Sequence, residues 1–212
     1  SRTDAGVHAL GNVAVFDTQA RTGAYKFTYA LKQRLPEDIR IRASREVPSD
    51  FHPRKTDSVK TYEYHILNEA FPNPVERLYS HFCYVPLDES RMQRAAQYLA
   101  GEHDFQSFCS AGAQVESTVR TIYECSVRRE GTKLIIRIQG NGFLYNMVRI
   151  IAGTLMEVGR GKYPPETVRD ILEAKDRRTA GPTAPARGLV LVSYEFPVLK
   201  ECAAGAWPGC DM

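Results

Sequence analysis

One carboxylate near the start of the chain lies in a sequence context suited to chemistry. Asp4 follows the cation Arg2 and precedes the flexible Ala5-Gly6 step, ahead of a segment that alternates like a strand. Because glycine adopts positive φ without steric cost, the sequence predicts a tight turn that presents the Asp4 side chain. Most Asp-x-Gly sequences are only turns, since Asp hydrogen-bonds its own backbone there. Residue types alone leave both a nucleophile and a plain turn residue open.

Two tyrosines lie in the strongest strand signal of the chain. Residues 59–67 are rich in β-branched and aromatic side chains, and a period of two places Lys60, Tyr62 and Tyr64 on one face. An aromatic ring with a phenol tip can hold an unstacked base, because stacking on the ring substitutes for stacking within a nucleic-acid helix. Tyrosine in strands more often packs in a core, so this interpretation also stays open.

An arginine interrupts the most apolar stretch of the chain. Residues 143–158 keep helical spacing and predict a buried helix that ends at Gly159. Arg149 lies inside it, and an unpaired buried guanidinium costs several kcal/mol. It either snorkels to water or pairs with a carboxylate, for which Asp4 is the obvious candidate. Pairing would hold Asp4 ionised, since an opposite charge lowers the pKa of a carboxyl group.

Composition favours a globular intracellular protein. The chain has 212 residues, 43% of them hydrophobic and 25% charged, which is enough for one large or two small domains. No run approaches the roughly 20 apolar residues of a membrane span, and the first residues do not resemble a secretion signal. Five cysteines without a C-x-x-C pair argue against disulfides or a zinc site. We expect a cytoplasmic location, no membrane and no metal.

The charge distribution is uneven along the chain. Residues 1–60 carry 11 Lys and Arg against 7 Asp and Glu, whereas residues 61–212 carry 17 against 18. A basic excess at one end suits a polyanion-binding face, because cationic side chains displace the counterions of phosphates. A solvated, mildly basic surface would show the same counts, so both interpretations stand.

A proline-containing break predicts a domain boundary at residues 48–50. It divides the chain into residues 1–48, which carry Asp4, and residues 49–212. The segment that follows is suited to base stacking and phosphate contact, although a surface linker would look similar. Its members are Phe51, His52, Pro53, Arg54 and Lys55.

The predicted elements alternate between helices and strands, as in an α+β fold. Strands are expected at 12–17, 38–47, 79–85 and 188–196, and a hairpin at 119–128 and 133–138 around Gly131. Helices are expected at 23–35 with Thr22 as cap, from Asp88 to residue 99, and at 166–175.

Six strings in order along the chain resemble the signature of the TruA-type tRNA pseudouridine synthases: RTDAGVHA, FHPR, K-x-Y-x-Y, DF-x-x-F, F-x-x-x-MVR and GLVLV. The resemblance implies two ferredoxin-like (RRM-like) halves with antiparallel or mixed sheets, joined around a basic active-site cleft. It implies a homodimer that binds the anticodon arm of tRNA. The implied reaction converts uridine to pseudouridine in the anticodon stem-loop without a cofactor. Because the chain opens inside the first string, we expect the first half to be incomplete.

The same resemblance assigns roles to individual residues. Asp4 matches the catalytic nucleophile, and Arg149 matches the arginine that forms a salt bridge to it. Tyr62 matches the tyrosine that contacts the target uridine, Leu191 an aliphatic wall against the base, and Arg2 the residue that flips the base. The segment 51–55 matches one that touches tRNA near the active site.

Two departures from the family pattern accompany the match. The loop at residues 109–118 carries Glu116 as its one charge, whereas the family's loop over the RNA is usually basic. Lys32-Gln33-Arg34 precedes Leu35-Pro36 where the family usually has an asparagine.

Two rival functions are compatible with the residues. One is a catalytically silent RNA-binding protein that keeps the scaffold and the cleft. The other is a small-molecule hydrolase that uses Asp4 with a histidine base, for which the chain offers His8, His52, His65, His81 and His103.

Overall fold

The structure is a computed structural model that describes residues 3–112 and 115–201. Seven strands lie within these ranges: β1 (His8–Ala9), β2 (Val59–Leu67), β3 (His81–Phe82), β4 (Gly101–Asp104), β5 (Val119–Glu130), β6 (Lys133–Gly140) and β7 (Leu189–Glu195). Five α-helices accompany them: α1 (Phe27–Lys32), α2 (Glu89–Gln97), α3 (Met147–Gly159), α4 (Thr167–Ala174) and α5 (Pro197–Glu201).

All seven strands form one open mixed sheet in the order β1-β7-β2-β6-β5-β4, with β3 pairing beside the end of β2. The neighbours from β7 to β4 are antiparallel, whereas β1 is parallel to β7 and β3 is parallel to β2. The predicted α+β class with a mixed sheet is therefore confirmed. The division into two ferredoxin-like halves stays a prediction.

Helix α3 forms the centre of the core. It packs against β2 and α2, and α2 in turn packs against β5 and α4. Every residue of α3 except Arg149 is buried. Asp88 caps α2, since its side chain accepts a hydrogen bond from the backbone N–H of Arg91 at 3.0 Å. Burial of these apolar helix faces is the main stabilising contribution to the fold.

Two predicted strands in the first quarter of the chain are wrong. Residues 12–17 and 38–47 contain no strand in the described structure. A strand needs a neighbouring ladder for its backbone groups, and local alternation does not supply one. Their apolar side chains pack elsewhere: Val13 and Val47 contact a small cluster that contains Phe51, Tyr194 and Phe196.

The predicted helix boundaries also need correction. The helix expected at 23–35 is reduced to a 3-10 turn at Ala24–Lys26 and to α1, and Thr22 does not cap it. None of the residues of α1 is buried, so the tertiary packing that stabilises most helices is missing there. Helix α3 begins at Met147 rather than at residue 143, because Asn146 adopts a left-handed φ of 61°. The strand expected at 79–85 is only β3.

Among the described residues, no helix is long and apolar enough to cross a membrane. The three cysteines in this part of the chain, Cys83, Cys109 and Cys125, are free thiols.

A loop at residues 181–184 packs closely against α3. The backbone N–H of Gly181 donates to Thr154 Oγ1 at 2.9 Å, and that of Ala184 donates to the carbonyl oxygen of Arg149 at 3.1 Å. A Cβ atom added at Gly153 would lie 1.8 Å from the carbonyl oxygen of Pro182. Only glycine at this position lets the loop approach the helix.

The close approach predicts that Gly153→Ala destabilises the protein by about 3 kcal/mol or more, since the added methyl group must displace backbone rather than a flexible side chain. Chemical denaturation measures the free energy of unfolding. Gly11→Ala is the matched control, because its Cβ would meet the carbonyl oxygen of Val192 at an ordinary 3.5 Å. Equal free energies for Gly153→Ala and wild type would contradict the tight contact.

Candidate active site

A pocket of about 440 Å³ opens where the start of the chain meets β2 and α3. Its lining comes from residues 3, 4 and 7, from Lys60 and Tyr62 of β2, from residues 143–149, and from Leu189 of β7. The volume falls within the roughly 300–1,000 Å³ of small-molecule sites. The pocket brings together three of the predicted site residues, Asp4, Tyr62 and Arg149.

The predicted turn holds Asp4 at the pocket wall. The backbone N–H of Val7 donates to the carbonyl oxygen of Asp4 at 3.1 Å, and Gly6 has a φ of 78°. After the turn, β1 pairs with β7, with His8 opposite Val190. The short strand therefore fastens the turn to the central sheet, and the Asp4 side chain keeps 37% of its surface exposed.

Arg149 is the side chain that orients Asp4. Its Nη1 lies 3.3 Å from Asp4 Oδ2 and donates to Asn146 Oδ1 at 2.8 Å, while its Nε donates to the carbonyl oxygen of Ala184 at 2.7 Å. Three acceptors around one planar guanidinium fix its position. The geometry thus favours the paired interpretation of Arg149 over a snorkelling arginine.

Asn146 connects this ion pair to a distant loop. It occupies the position before α3 in the left-handed conformation, which short polar side chains tolerate better than most residues. Its Oδ1 accepts from Arg149, and its Nδ2 donates to Ser110 Oγ at 3.0 Å. The backbone N–H of Ser110 also donates to the carbonyl oxygen of Tyr145 at 3.1 Å. The start of the 109–118 loop is therefore attached to the pocket.

Tyr62 supplies an aromatic ring and a neutral phenol. The ring meets Phe143 edge-on, with ring centroids 5.1 Å apart. Burial raises the pKa of Tyr62 to about 12, and the charges of Tyr194 and Asp4 act in the same direction. The phenol is therefore protonated at neutral pH and can donate a hydrogen bond.

Tyr64 lies on the same face but has a structural role. It is fully buried, and its hydroxyl donates to the carbonyl oxygen of Pro185 at 2.8 Å. Burial raises the pKa of this phenol as well.

Leu191, which the resemblance assigns to the pocket wall, is placed differently. Leu191 is fully buried opposite Tyr62 in the β2–β7 pairing and does not line the pocket, whereas Leu189 does. Residues two apart on a strand share a face, so both leucines point to one face of β7. The aliphatic wall of the pocket is therefore Leu189, two residues before the expected Leu191. Arg2 lies outside the residues that the structure describes.

The segment 51–55 divides into buried and exposed parts. Phe51 and Pro53 are buried, and the carbonyl oxygen of Pro53 accepts a hydrogen bond from the Tyr194 hydroxyl. Phe51 packs edge-on against Phe196 at 4.9 Å, so its ring is not free to stack on a base. Arg54 and Lys55 are exposed, and His52 is intermediate. RNA contact stays a prediction for these last three residues.

None of the chain's five histidines lines the pocket, which argues against the hydrolase interpretation. Each lies elsewhere. His8 and His103 form hydrogen bonds with backbone carbonyl oxygens, of Leu78 at 2.7 Å and of Ala100 at 2.9 Å. His65 pairs with Glu63 at 3.1 Å, His52 accepts a hydrogen bond from the backbone N–H of Arg54, and His81 lies in β3 near Tyr64. No histidine is therefore placed to serve Asp4 as a base.

Sequence reasoning assigned no site role to most of the pocket residues, and three of these matter for the chemistry of the pocket. Tyr145 and Asn146 were assigned to the interior of a helix, although an asparagine just before an apolar run is itself a signal for a helix start. Lys60 was placed on the face of the tyrosines without a role. Tyr145 is 50% exposed and lines the pocket, so it offers a second aromatic surface.

Comparison with known proteins identifies the family. A family model described as tRNA pseudouridine synthase matches residues 95–197. A tRNA pseudouridine synthase A of Brevibacillus brevis is 50% identical over 190 residues, which are 90% of this chain and 78% of the relative. Those of Halalkalibacterium halodurans and Acetivibrio thermocellus are each 49% identical, over 89% and 92% of this chain and 72% and 80% of the relatives.

These matches fall in one class of proteins, the tRNA pseudouridine synthases, which are isomerases. The three relatives match over most of both sequences at about half identity. The chain belongs to the tRNA pseudouridine synthase A family. The family resemblance drawn from the six sequence strings is confirmed.

The geometry of Asn146 predicts different stabilities for two substitutions. Asn146→Ala and Asn146→Gly both remove the hydrogen bonds to Arg149 and Ser110, but only alanine keeps a Cβ atom in the left-handed conformation. We expect the alanine variant to be less stable than the glycine variant by about 1 kcal/mol. Chemical denaturation measures the difference. Equal stabilities, or a more stable alanine variant, would show that the left-handed conformation carries no cost here.

Proposed function

We propose that this protein isomerises uridine to pseudouridine within tRNA and that Asp4 is the nucleophile. The observation that carries the proposal is the placement of the Asp4 carboxylate, held 3.3 Å from Arg149 in a pocket that Tyr62 also lines. Membership of the tRNA pseudouridine synthase A family supports the substrate and the reaction class.

The reaction rearranges bonds within one nucleotide. The bond from N1 of the uracil to C1′ of the ribose breaks, the base turns, and a bond from C5 to C1′ forms. The C5 proton is released and N1 gains a proton, so composition and oxidation state do not change. This balance requires no redox partner or group donor.

Three pocket residues have distinct tasks in this reaction. Asp4 forms a transient covalent bond to the ribose or to the base, which divides a difficult step into two easier ones. Arg149 orients the carboxylate through the ion pair. Tyr62 stacks on the uracil, and its neutral phenol donates a hydrogen bond to a carbonyl or ring atom of the base.

The target uridine must leave its stack before it can reach Asp4. Extrusion costs a few kcal/mol, which contacts inside the pocket must offset. The Tyr62 and Tyr145 rings offer aromatic surfaces, and Leu189 offers an aliphatic wall. By family resemblance, Arg2 fills the space that the base vacates.

The family resemblance also supports proposals about the whole assembly. We propose that the uridines lie in the anticodon stem-loop and that a cytoplasmic homodimer binds the anticodon arm. Residues 1–48 would belong to a first ferredoxin-like half that carries Asp4, and residues 49–212 to a second. The exposed cations Arg54 and Lys55 are suited to phosphate contacts.

Product analysis tests the proposal. The protein is incubated with a tRNA transcript, the RNA is digested to nucleosides, and pseudouridine is quantified by liquid chromatography and mass spectrometry. We expect pseudouridine from wild type and a rate lower by at least about 10³-fold from Asp4→Asn, since removing a nucleophile abolishes the covalent path. Asp170→Asn on α4 is the matched control, because Asp170 is an exposed aspartate outside the pocket.

The other outcomes decide between the rivals. RNA binding by wild type without pseudouridine would favour the catalytically silent RNA-binding protein. Equal turnover by wild type and Asp4→Asn would show that Asp4 is not the nucleophile. Reverse transcription after carbodiimide treatment locates the product, and pseudouridine outside the anticodon arm would contradict that part of the proposal.

A further inference from the structure

Lys60 is a half-buried cation in the pocket wall without a carboxylate partner among the described residues. It lies at the start of β2, two residues before Tyr62, and both side chains line the pocket. Its Nζ lies 4.6 Å from the centroid of the Tyr194 ring. This cation–π contact stabilises the ammonium group but supplies no negative charge.

The sheet brings a second cation towards Lys60. Lys60 lies opposite Gly140 of β6, and Gly140 lies opposite Ile122 of β5. Arg120 precedes Ile122 by two residues, so its side chain points to the same face of the sheet. Gly140 has no side chain to separate the two cations. Three neighbouring strands therefore present Lys60 and Arg120 at one end of the sheet.

Arg120 also lies against the segment that leads into the pocket. A Cβ atom added at Gly142, one residue before Phe143 of the pocket wall, would lie 3.5 Å from Cδ and Nε of Arg120. Its Nη1 donates to the carbonyl oxygens of Ser117 at 2.9 Å and Val119 at 2.6 Å. These bonds fix the guanidinium without supplying a negative charge.

Partly buried cations of the described chain differ in their partners: Arg91 and Arg177 bind only uncharged oxygens, whereas three others have a carboxylate. Arg137 pairs with Glu63, Arg160 with Glu157 and Arg149 with Asp4. Lys60 and Arg120 have no such ion pair in the described part of the chain. Burial lowers the pKa of Lys60, and the nearby charge of Arg120 lowers it further. Two neighbouring uncompensated cations favour an anion between them.

We propose that Lys60 and Arg120 together bind a backbone phosphate of the tRNA strand that enters the pocket. This inference rests on the proposed function and deepens it. A nucleotide whose base reaches Asp4 carries phosphates on both sides of its ribose, at the mouth of the same pocket. Binding one of them positions the target nucleotide along the strand but reads no base.

Salt dependence of binding distinguishes this role from packing. Affinity for a tRNA transcript is measured in the Asp4→Asn background over a series of KCl concentrations, so that turnover does not interfere. Removing one phosphate contact lowers the slope of log K against log salt by about 0.7 to 0.9. We expect this change for Lys60→Met and for Arg120→Met, and about twice the change for the double variant.

Charge-retaining and distant variants serve as controls. Lys60→Arg should keep most of the slope, because it keeps the cation. Arg169→Met, which removes an exposed cation of α4 outside the pocket, should leave the slope within error of the parent protein. Thermal unfolding of every variant shows whether the fold is kept.

The outcomes separate this inference from the proposed function. Weaker binding by folded variants with an unchanged slope would overturn the phosphate site and leave a packing role through Tyr194. Affinities of both single variants equal to that of the parent protein would also overturn the phosphate site. A reduced slope combined with a wild-type protein that forms no pseudouridine would support the phosphate site while rejecting the isomerase.

A chemically modified RNA adds a direct test. A methylphosphonate next to the target uridine removes one phosphate charge. It should weaken binding to the parent protein but not to the Lys60→Met/Arg120→Met double variant. An equal reduction in affinity for both proteins at every position tested would contradict contact by these two residues.

Discussion

The site depends on one constraint: helix α3 is buried, and Arg149 is its one partly exposed side chain. A helix packed on nearly every side cannot rotate or slide without opening the core, so the position of Arg149 is set by hydrophobic packing. The guanidinium then has three fixed acceptors, of which Asp4 is the only charged one. Core packing thereby sets the orientation of the Asp4 carboxylate.

Asp4 reaches this position by a separate route. The turn at Gly6 and the short parallel pairing of β1 with β7 attach the beginning of the described chain to the edge of the sheet. The ion pair therefore joins two parts of the protein that are 145 residues apart in sequence. Such a pair at partial exposure contributes little to stability, and its value lies in placing the carboxylate.

The electrostatic pattern of the pocket suits an RNA substrate. It contains a paired carboxylate, a phenol that stays neutral, and a lysine without a carboxylate partner in the described residues. In the proposed function, the phenol and the rings contact an uncharged base, and the cations at the end of the sheet bind the charged backbone. This separation allows tight binding of the strand without neutralising Asp4.

The sequence predicted the centre of the protein better than its beginning. The spacing of the apolar residues predicted α3, because a helix buried on nearly all sides is apolar along its whole length. Arg149 was recognisable as the one charged residue in the predicted helix interior. The strands at 12–17 and 38–47 were wrong because alternation describes a face, whereas a strand also needs a neighbour that local sequence does not specify. Leu189 and Leu191 share one face of β7, so periodicity could not tell which of them lines the pocket. The start of α3 was missed because the apolar period already runs from residue 143, whereas Asn146 leaves the helical conformation with a left-handed backbone.

The most direct test of the central claim is the single-turnover rate of tritium release from a tRNA transcript labelled at C5 of uracil, with enzyme in excess. The comparison is between wild type and Arg149→Met, with RNA binding and thermal unfolding measured in parallel. If Arg149 orients Asp4 for attack, the rate constant falls by at least about 100-fold while the folded variant still binds RNA. A folded, RNA-binding Arg149→Met protein that releases tritium at the wild-type rate would contradict the account.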